Sequence, residues 1–399
     1  MSTGALDGVR IVDLTQMLAG PFCTMLLADQ GAEIIKVEPL DGDHTRIIGP
    51  YHVDDKLKAF GGYFASVNRN KKSIAIDLKR PEGRDLVLKL CDGADAVVEN
   101  YRGGVMDRLG LGYEALSAIN PRLIYCAVSG FGQTGPEKTT AAFDGKLQAM
   151  SGIMSITGEA EHGPTRAGFA ICDTIGGMTA ALAVASALYQ RTHTGRGQLV
   201  DVAMLDAALA FIPGTVSEYT VAGIKARQLG NGSVSRKPTA SRFRARGGYI
   251  VLAVLTEKQF ASLMKTLGRA DALADPRFKD WAARTANEPA LRQIIEEALA
   301  SDDPKSWEER LTAADVPCGS IWKIEEIVEH PQLGHRDVLQ TIDSRYGPMR
   351  LVGSGFRLEH GSPGLDREPP TLGEHTDEVL REAGLGADEI ERLRREAVI

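Results

Sequence analysis

Short runs rich in β-branched residues alternate with helix-like stretches through the first half of the chain, and this alternation constrains the fold more than any other feature. Val9–Leu14 reads as a strand, Gly20-Pro21 opens a helix that runs to Asp29, and Ala32–Val37 is the next strand. Ser73–Asp77 is a third, followed by a helix from Pro81 to Cys91; Ala94–Glu99 and Leu123–Val128 supply two more. Strands separated by roughly 10–15 helical residues build βαβ units, and so a parallel sheet clothed by helices. The expected class is α/β. An Ala- and Gly-rich helix follows over Thr174–Gln190, Thr194-Gly195-Arg196-Gly197 stops it, Val200–Met204 resumes a strand, and an apolar helix starts at Leu205.

The second half changes character. Polar, glycine-bearing Gly230–Thr239 marks the best domain boundary, Tyr249–Val254 reads as a strand, and amphipathic helices lie around Glu257–Leu267, Glu288–Ala300 and Pro304–Ala314. That combination describes a smaller α+β domain, and 399 residues are too many for one ordinary core. The tail from Leu351 holds a strand, the turn-rich Pro369–Gly373 and a last charged helix.

A formal net charge of −7 argues against nucleic acid or an anionic membrane as general partner, since either selects basic stripes. The five cysteines are scattered, with no spacing suited to zinc, and no histidine pair suggests a metal. Met1–Asp7 lacks the basic head and apolar core of a signal peptide. The longest weakly polar run, Gly176–Tyr189, is about six residues short of a spanning helix. A cytoplasmic protein is expected.

Three local patterns admit two readings each. Gly130-Phe131-Gly132-Gln133-Thr134-Gly135-Pro136 after the fifth strand is either an amide-bearing loop facing a ligand or a plain glycine turn. Asp173, before Thr174-Ile175-Gly176-Gly177, is a helix cap or a carboxylate kept ionised by a helix N-terminus, with glycines that let a flat thioester approach. Lys79, Arg102 and Arg108 follow strands and are either solvated surface charge or, at neighbouring strand ends, a phosphate site.

Taken in order along the chain, the motifs resemble the family III CoA-transferases of the CaiB/BaiF type. The resemblance rests on Leu6–Leu14 with Ala19-Gly20-Pro21, Gly31–Pro39, Gly42-Asp43 with Arg46, Asn70–Ile74, Val98–Arg102, Met106–Gly110, Gly130–Pro136, Arg191–Val202, Pro317-Cys318-Gly319 and Leu372–Thr376. It implies a Rossmann-like large domain made by residues 1–205 and 326–399, a linker helix over 206–229, a small domain over 230–325, and an interlocked, ring-shaped homodimer. It also implies that Asp173 is the catalytic nucleophile and that CoA touches Ile76, Asp77, Leu78, Lys79, Asn100, Tyr101, Arg102 and Arg108. Leu18 and Pro39 stand where other members place polar or basic CoA contacts. Oxyanion or loop candidates are Gly130, Gly132 and Gln133; acyl-pocket candidates are Phe143, Asp144, Arg46, Ile48 and Arg236.

The implied reaction is CoA transfer from a donor thioester to a small carboxylic acid through an aspartyl-CoA thioester, with CoA the only coenzyme, serving as substrate and product. A 2-methylacyl-CoA racemase is the nearest rival, but it would need histidine where Phe143 precedes Asp144. A non-catalytic CoA-binding module is the other. The formyl-CoA/oxalate pair is not expected, because the tryptophan of oxalate-acting members is Ile48 here and Gly230–Arg236 lacks their glycine run. A short dicarboxyl-CoA such as succinyl-CoA is the donor suggested, with Arg69, Arg166 and Arg236 as candidates for a second carboxylate.

Overall fold

Period-two alternation along the first strands divides the core between two faces of one sheet. Ile11, Ile34, Ala96 and Ile124 point to one face, while Val12, Ile35, Val97 and Tyr125 point to the other, all nearly or fully buried. A strand buried on both sides must be covered on both sides, and here helices do so. The protein is described from a computed structural model covering residues 4–56, 58 and 61–399. Two compact units compose it.

The first unit comprises the chain up to Ile153, Ala167–Ile224 and Pro331–Ile399. Six parallel strands, β1 (Arg10–Asp13), β2 (Glu33–Glu38), β3 (Lys71–Ala75), β4 (Ala96–Glu99), β5 (Ile124–Ser129) and β6 (Gln198–Ala203), lie in the order β3-β2-β1-β4-β5-β6. This is the doubly wound order, in which the chain reverses its direction of travel between β1 and β4. Helices Pro81–Asp92, Tyr113–Ile119, Thr376–Glu382 and Ala387–Arg395 cover one face; Ala19–Ala28, Ile171–Thr194 and Met204–Phe211 cover the other.

The chain's last stretch finishes this unit at β3. His375 and Ser73 pair through the N–H of His375 and the carbonyl of Ser73 at 2.9 Å, Thr376 accepts from the Ala75 amide, and Asp77 donates to the Val398 carbonyl at 2.8 Å. Val398 itself is fully buried in the core.

The helix Ile171–Thr194 is 24 residues long and apolar enough to cross a membrane by length and composition. The apolar run judged short in the sequence is therefore part of a longer helix. Half of its most apolar stretch is buried, and it packs against Ala19–Ala28 and the sheet, which explains its alanines and glycines.

The second unit holds Met154–Arg166 and Lys225–His330. Its antiparallel sheet, β7 (Ala240–Ala245), β8 (Gly248–Ala253) and β9 (Cys318–Ser320), backs onto helices Glu257–Thr266, Glu288–Leu299 and Pro304–Ala313. Residues 206–224, read from sequence as linker, belong to the first unit. The excursion Met154–Arg166 into the second had no sequence signal.

Candidate active site

Where the sheet reverses, the loops after β1 and β4 part and leave a crevice at the carboxyl ends of the strands, the usual ligand position in open α/β sheets. A cavity of about 290 Å3 occupies it. Met17, Leu18 and Ala19 line it after β1, Asn100, Tyr101 and Arg102 after β4, Val128, Ser129 and Gly130 at β5, and Met204 after β6. Tyr63, Lys138, Thr140, Ala142, Phe143 and Asp173 complete the wall.

Asp173 sits in the first turn of Ile171–Thr194 but does not cap it; the N-cap is Ala170, which has no side-chain acceptor. Among the described residues its carboxylate has no hydrogen-bond donor and no cation partner. Burial, and then the charge of Asp144, push its pKa up to about 7. The helix N-terminus favours ionisation by at most ~1–2 kcal/mol, so desolvation and like charge prevail, contrary to the sequence expectation. Tyr63 faces the same place, because the charges of Asp173 and Asp144 both add to burial in raising its phenol. The two glycines after Asp173 serve packing: a Cβ on Gly176 would lie 2.7 Å from Met204 Cγ, and one on Gly177 2.5 Å from the Ala19 carbonyl oxygen.

Buried charge shapes the rim on the β1 side. Lys36 Nζ donates to the Thr15 carbonyl at 2.8 Å and to Asp43 at 3.0 Å, in a fully buried pair. Asp43 also accepts from the Thr45 amide and, at 3.4 Å, from that of Met17. Met17 holds a left-handed φ of 70°, unusual for a residue with a side chain. Across the crevice the Asn100 amide closes on the main chain of Gln16, accepting its N–H at 2.8 Å and donating to its carbonyl at 2.7 Å. Beneath it Glu99 takes the Tyr101 N–H at 2.7 Å; burial raises the Glu99 carboxyl to about 8.

The structure gathers Leu18, Asn100, Tyr101, Arg102, Gly130, Phe143 and Asp173 around one cavity. Other sequence candidates lie elsewhere. Ile76 is fully buried, Asp77 turns its carboxylate to the Lys79 amide, and Leu78 packs on the core. Lys79 ends up beyond β3 and Arg108 beyond β4, so the two are not at neighbouring strand ends; β2 and β1 intervene, about 14 Å at ~4.8 Å per strand. The Gly132 amide is taken by Ser129 Oγ and that of Gln133 by the Asp201 carboxylate, which removes both as free backbone donors. The Gln133 side-chain Nε2, by contrast, is enclosed without a partner.

Arg46 is committed to Glu38 at 2.6 Å and to the Pro370 carbonyl, stacked over Phe64, and Ile48 follows it half-buried. Asp144 is buried beside the cavity rather than lining it. Arg69 is fixed to Asp29 at 2.6 Å, both nearly buried. Arg166 and Arg236 belong to the second unit, where Arg236 lines a separate cavity of about 690 Å3 with Arg227 and Lys237. The sequence reading missed Gln16, Met17, Tyr63 and Lys138; Tyr63 stands on a short helix, Gly62–Asn68, whose glycine start hides it.

A doubly wound sheet with a carboxylate set in its switch-point crevice defines an α/β protein whose ligand site lies at the carboxyl ends of its strands. The chain belongs to CoA-transferase family III, whose model matches residues 6–376. It is 36% identical to succinyl-CoA:mesaconate CoA-transferase of Haloarcula hispanica, over 96% of this chain and 97% of that one. It is 39% identical to acetyl-CoA:oxalate CoA-transferase of Acetobacter aceti, over 92% and 95%. Among solved structures, a CAIB/BAIF family protein from Brucella suis superposes with a TM-score of 0.88 at 35% identity, covering 96% of this chain and all of that one. The protein is a CoA-transferase.

Proposed function

We propose that this enzyme carries CoA from a donor acyl-CoA to a carboxylic acid by covalent catalysis at Asp173. The observation that carries the reading is a carboxylate without a partner, aimed into the only charged recess at the sheet's switch point that the described residues form around Asn100 and Tyr101. A carboxylate left unpaired beside apolar walls costs stability, and its use as a nucleophile gives that arrangement a purpose.

In the proposed sequence, ionised Asp173 attacks the donor carbonyl, the C–S bond breaks, and a mixed anhydride and CoA thiolate result. The thiolate attacks the aspartyl carbonyl of the anhydride, releases the donor acid and leaves an aspartyl-CoA thioester. The acceptor carboxylate attacks that carbonyl, expelling thiolate again. Thiolate then attacks the acceptor's acyl carbon, giving the new acyl-CoA and free Asp173. Every step shifts an electron pair among oxygen, carbon and sulfur, so the chemistry as written balances without a redox group. Tyr63 and the Gln133 amide are the donors proposed to steady the developing oxyanions, each such donor contributing ~10²–10³-fold in other systems.

Asn100, Tyr101, Arg102 and Leu18 form the proposed coenzyme side. For the donor, a short dicarboxyl-CoA such as succinyl-CoA is supported by the Haloarcula relative and by Arg102 and Lys138, the cations on the wall that holds Asp173. A racemase is disfavoured because Phe143, exposed on that wall, has no proton to move. We further propose a homodimer. Helix Pro213–Ala222 buries none of its residues yet carries Tyr219 and Val221, as a surface awaiting a second copy would.

Mixing the enzyme with succinyl-CoA, trapping with hydroxylamine or borohydride and mapping by mass spectrometry is expected to place the adduct on Asp173. Turnover without any Asp173 adduct would overturn the mechanism. A panel of succinyl-, acetyl- and formyl-CoA against small acids, oxalate included, ranks the substrates; light scattering in solution reads the mass of the assembly.

A further inference from the structure

The helix that carries Asp173 is capped from a distance. Asp144, on the separate helix Asp144–Met150, accepts the Cys172 N–H at 2.8 Å, one of the amides that Ala170 leaves unserved. Its other oxygen accepts from Gln148 Nε2 at 2.6 Å. Gln148, fully buried, in turn accepts the Ala167 N–H at 2.9 Å and donates to the Phe169 carbonyl at 3.2 Å. Residues 167, 169 and 172, the turn that aims Asp173, are thus all held by one carboxylate–amide pair. A serine or asparagine would cap as well. What a carboxylate adds is negative charge beside Asp173.

We propose that Asp144 is a positioning residue for Asp173, fixing the turn that directs it into the cavity and placing a second buried carboxylate beside it. This rests on the reading of Asp173 as nucleophile. The other titratable and charged groups around Asp173 are Tyr63 from helix Gly62–Asn68, Cys172 on its own helix, and Tyr101, Arg102 and Lys138 on the cavity wall. Among these, Asp144 is the neighbour whose charge acts on Asp173 in the same direction as burial.

The test compares wild type with Asp144→Asn and Asp144→Ala. Asparagine keeps an acceptor for Cys172 and loses the charge together with the acceptor for Gln148 Nε2; the expected result is an activity-against-pH midpoint lower by about one pH unit, with KM for CoA within twofold. Alanine loses cap and charge and is expected to lower kcat by 10-fold or more, again with KM little changed, because the loops at Gln16–Leu18 and Asn100–Arg102 are untouched. An unchanged midpoint in Asp144→Asn overturns the proposal, as does a loss that falls on KM alone. Infrared titration of the Asp173 carboxyl in wild type and Asp144→Asn reads the same shift without turnover. It separates failure of this proposal from failure of the nucleophile reading, which the Asp173 trapping experiment decides.

Discussion

Asn100 and Gln16 face each other across the switch point, the side-chain amide of one matching the main-chain N–H and carbonyl of the other at 2.8 and 2.7 Å. The pair ties the β4 loop to the β1 loop and so sets the width of the crevice between them. Its amide is spent on that clasp, which makes Asn100 a brace of the coenzyme side before it is a contact. Asn100→Ala is expected to raise KM for CoA about 10-fold and to remove ~1–3 kcal/mol of stability, from two net hydrogen bonds. Asn100→Asp, which cannot donate to the Gln16 carbonyl, should fall between. Steady-state kinetics and urea unfolding check both.

Arg69 holds both oxygens of Asp29, at 3.0 Å through Nε and 2.6 Å through its terminal nitrogen, and Asn70 and Ser354 add to the same carboxylate. Removing one partner of a buried pair strands the other, a cost of roughly 3–5 kcal/mol. Arg69→Met is therefore expected to unfold at markedly lower denaturant with no change in preference between succinyl- and acetyl-CoA. A selective loss of the dicarboxyl donor would return Arg69 to the acyl pocket.

Raised to about 7, Asp173 binds a proton in the folded chain over a range where the unfolded chain, near 3.8, has lost it. Stability thus falls as pH rises from about 4 to 7 and stays lower above that. Asp173→Asn removes the effect, so its advantage in Tm over wild type should be negligible at pH 4 and reach a few degrees at pH 8. Activity runs the opposite way. Wild-type kcat/KM is expected to climb with pH through about 7, and Asp173→Asn to lose about 10³-fold or more.

Gly177 lets the helix Ile171–Thr194 lie close on Ala19–Ala28: its missing Cβ would fall 2.5 Å from the Ala19 carbonyl oxygen and 3.0 Å from Phe22 Cδ1. Because Ala19 also lines the cavity, a push there reaches the site. Gly177→Ala is expected to destabilise by ~1–3 kcal/mol, with KM for CoA rising more than kcat falls. Thermal unfolding and kinetics of one preparation measure both. Gly93, with nothing within 4 Å of an added Cβ, is the control for backbone stiffening alone.

Much of this architecture is legible in the linear chain because β1, β2, β4 and β5 are buried on both faces, and such strands read as apolar, β-branched runs whatever surrounds them. The position of Asp173 is legible too, through the family resemblance. The role of Asp144 is not: it depends on a contact with Cys172 28 residues away, and no local pattern announces which helix caps which. Nor can a sequence separate Arg69 and Arg46, whose partners are buried acids, from Arg102, whose guanidinium borders a cavity. Strand order is equally silent in a list of strands. Lys79 and Arg108 follow consecutive strands in the chain, yet β1 and β2 stand between those strands in space.

The contact between Val398 and Asp77 also says something about how the molecule is made. β3 and its helical cover lie more than 300 residues apart in the chain, so a ribosome delivers the first five strands long before the residues that seal them. Until Val398 emerges, the nascent chain carries an uncovered sheet edge and an unfinished core. Closure of the first unit's core therefore waits for helices made long after all six of its strands.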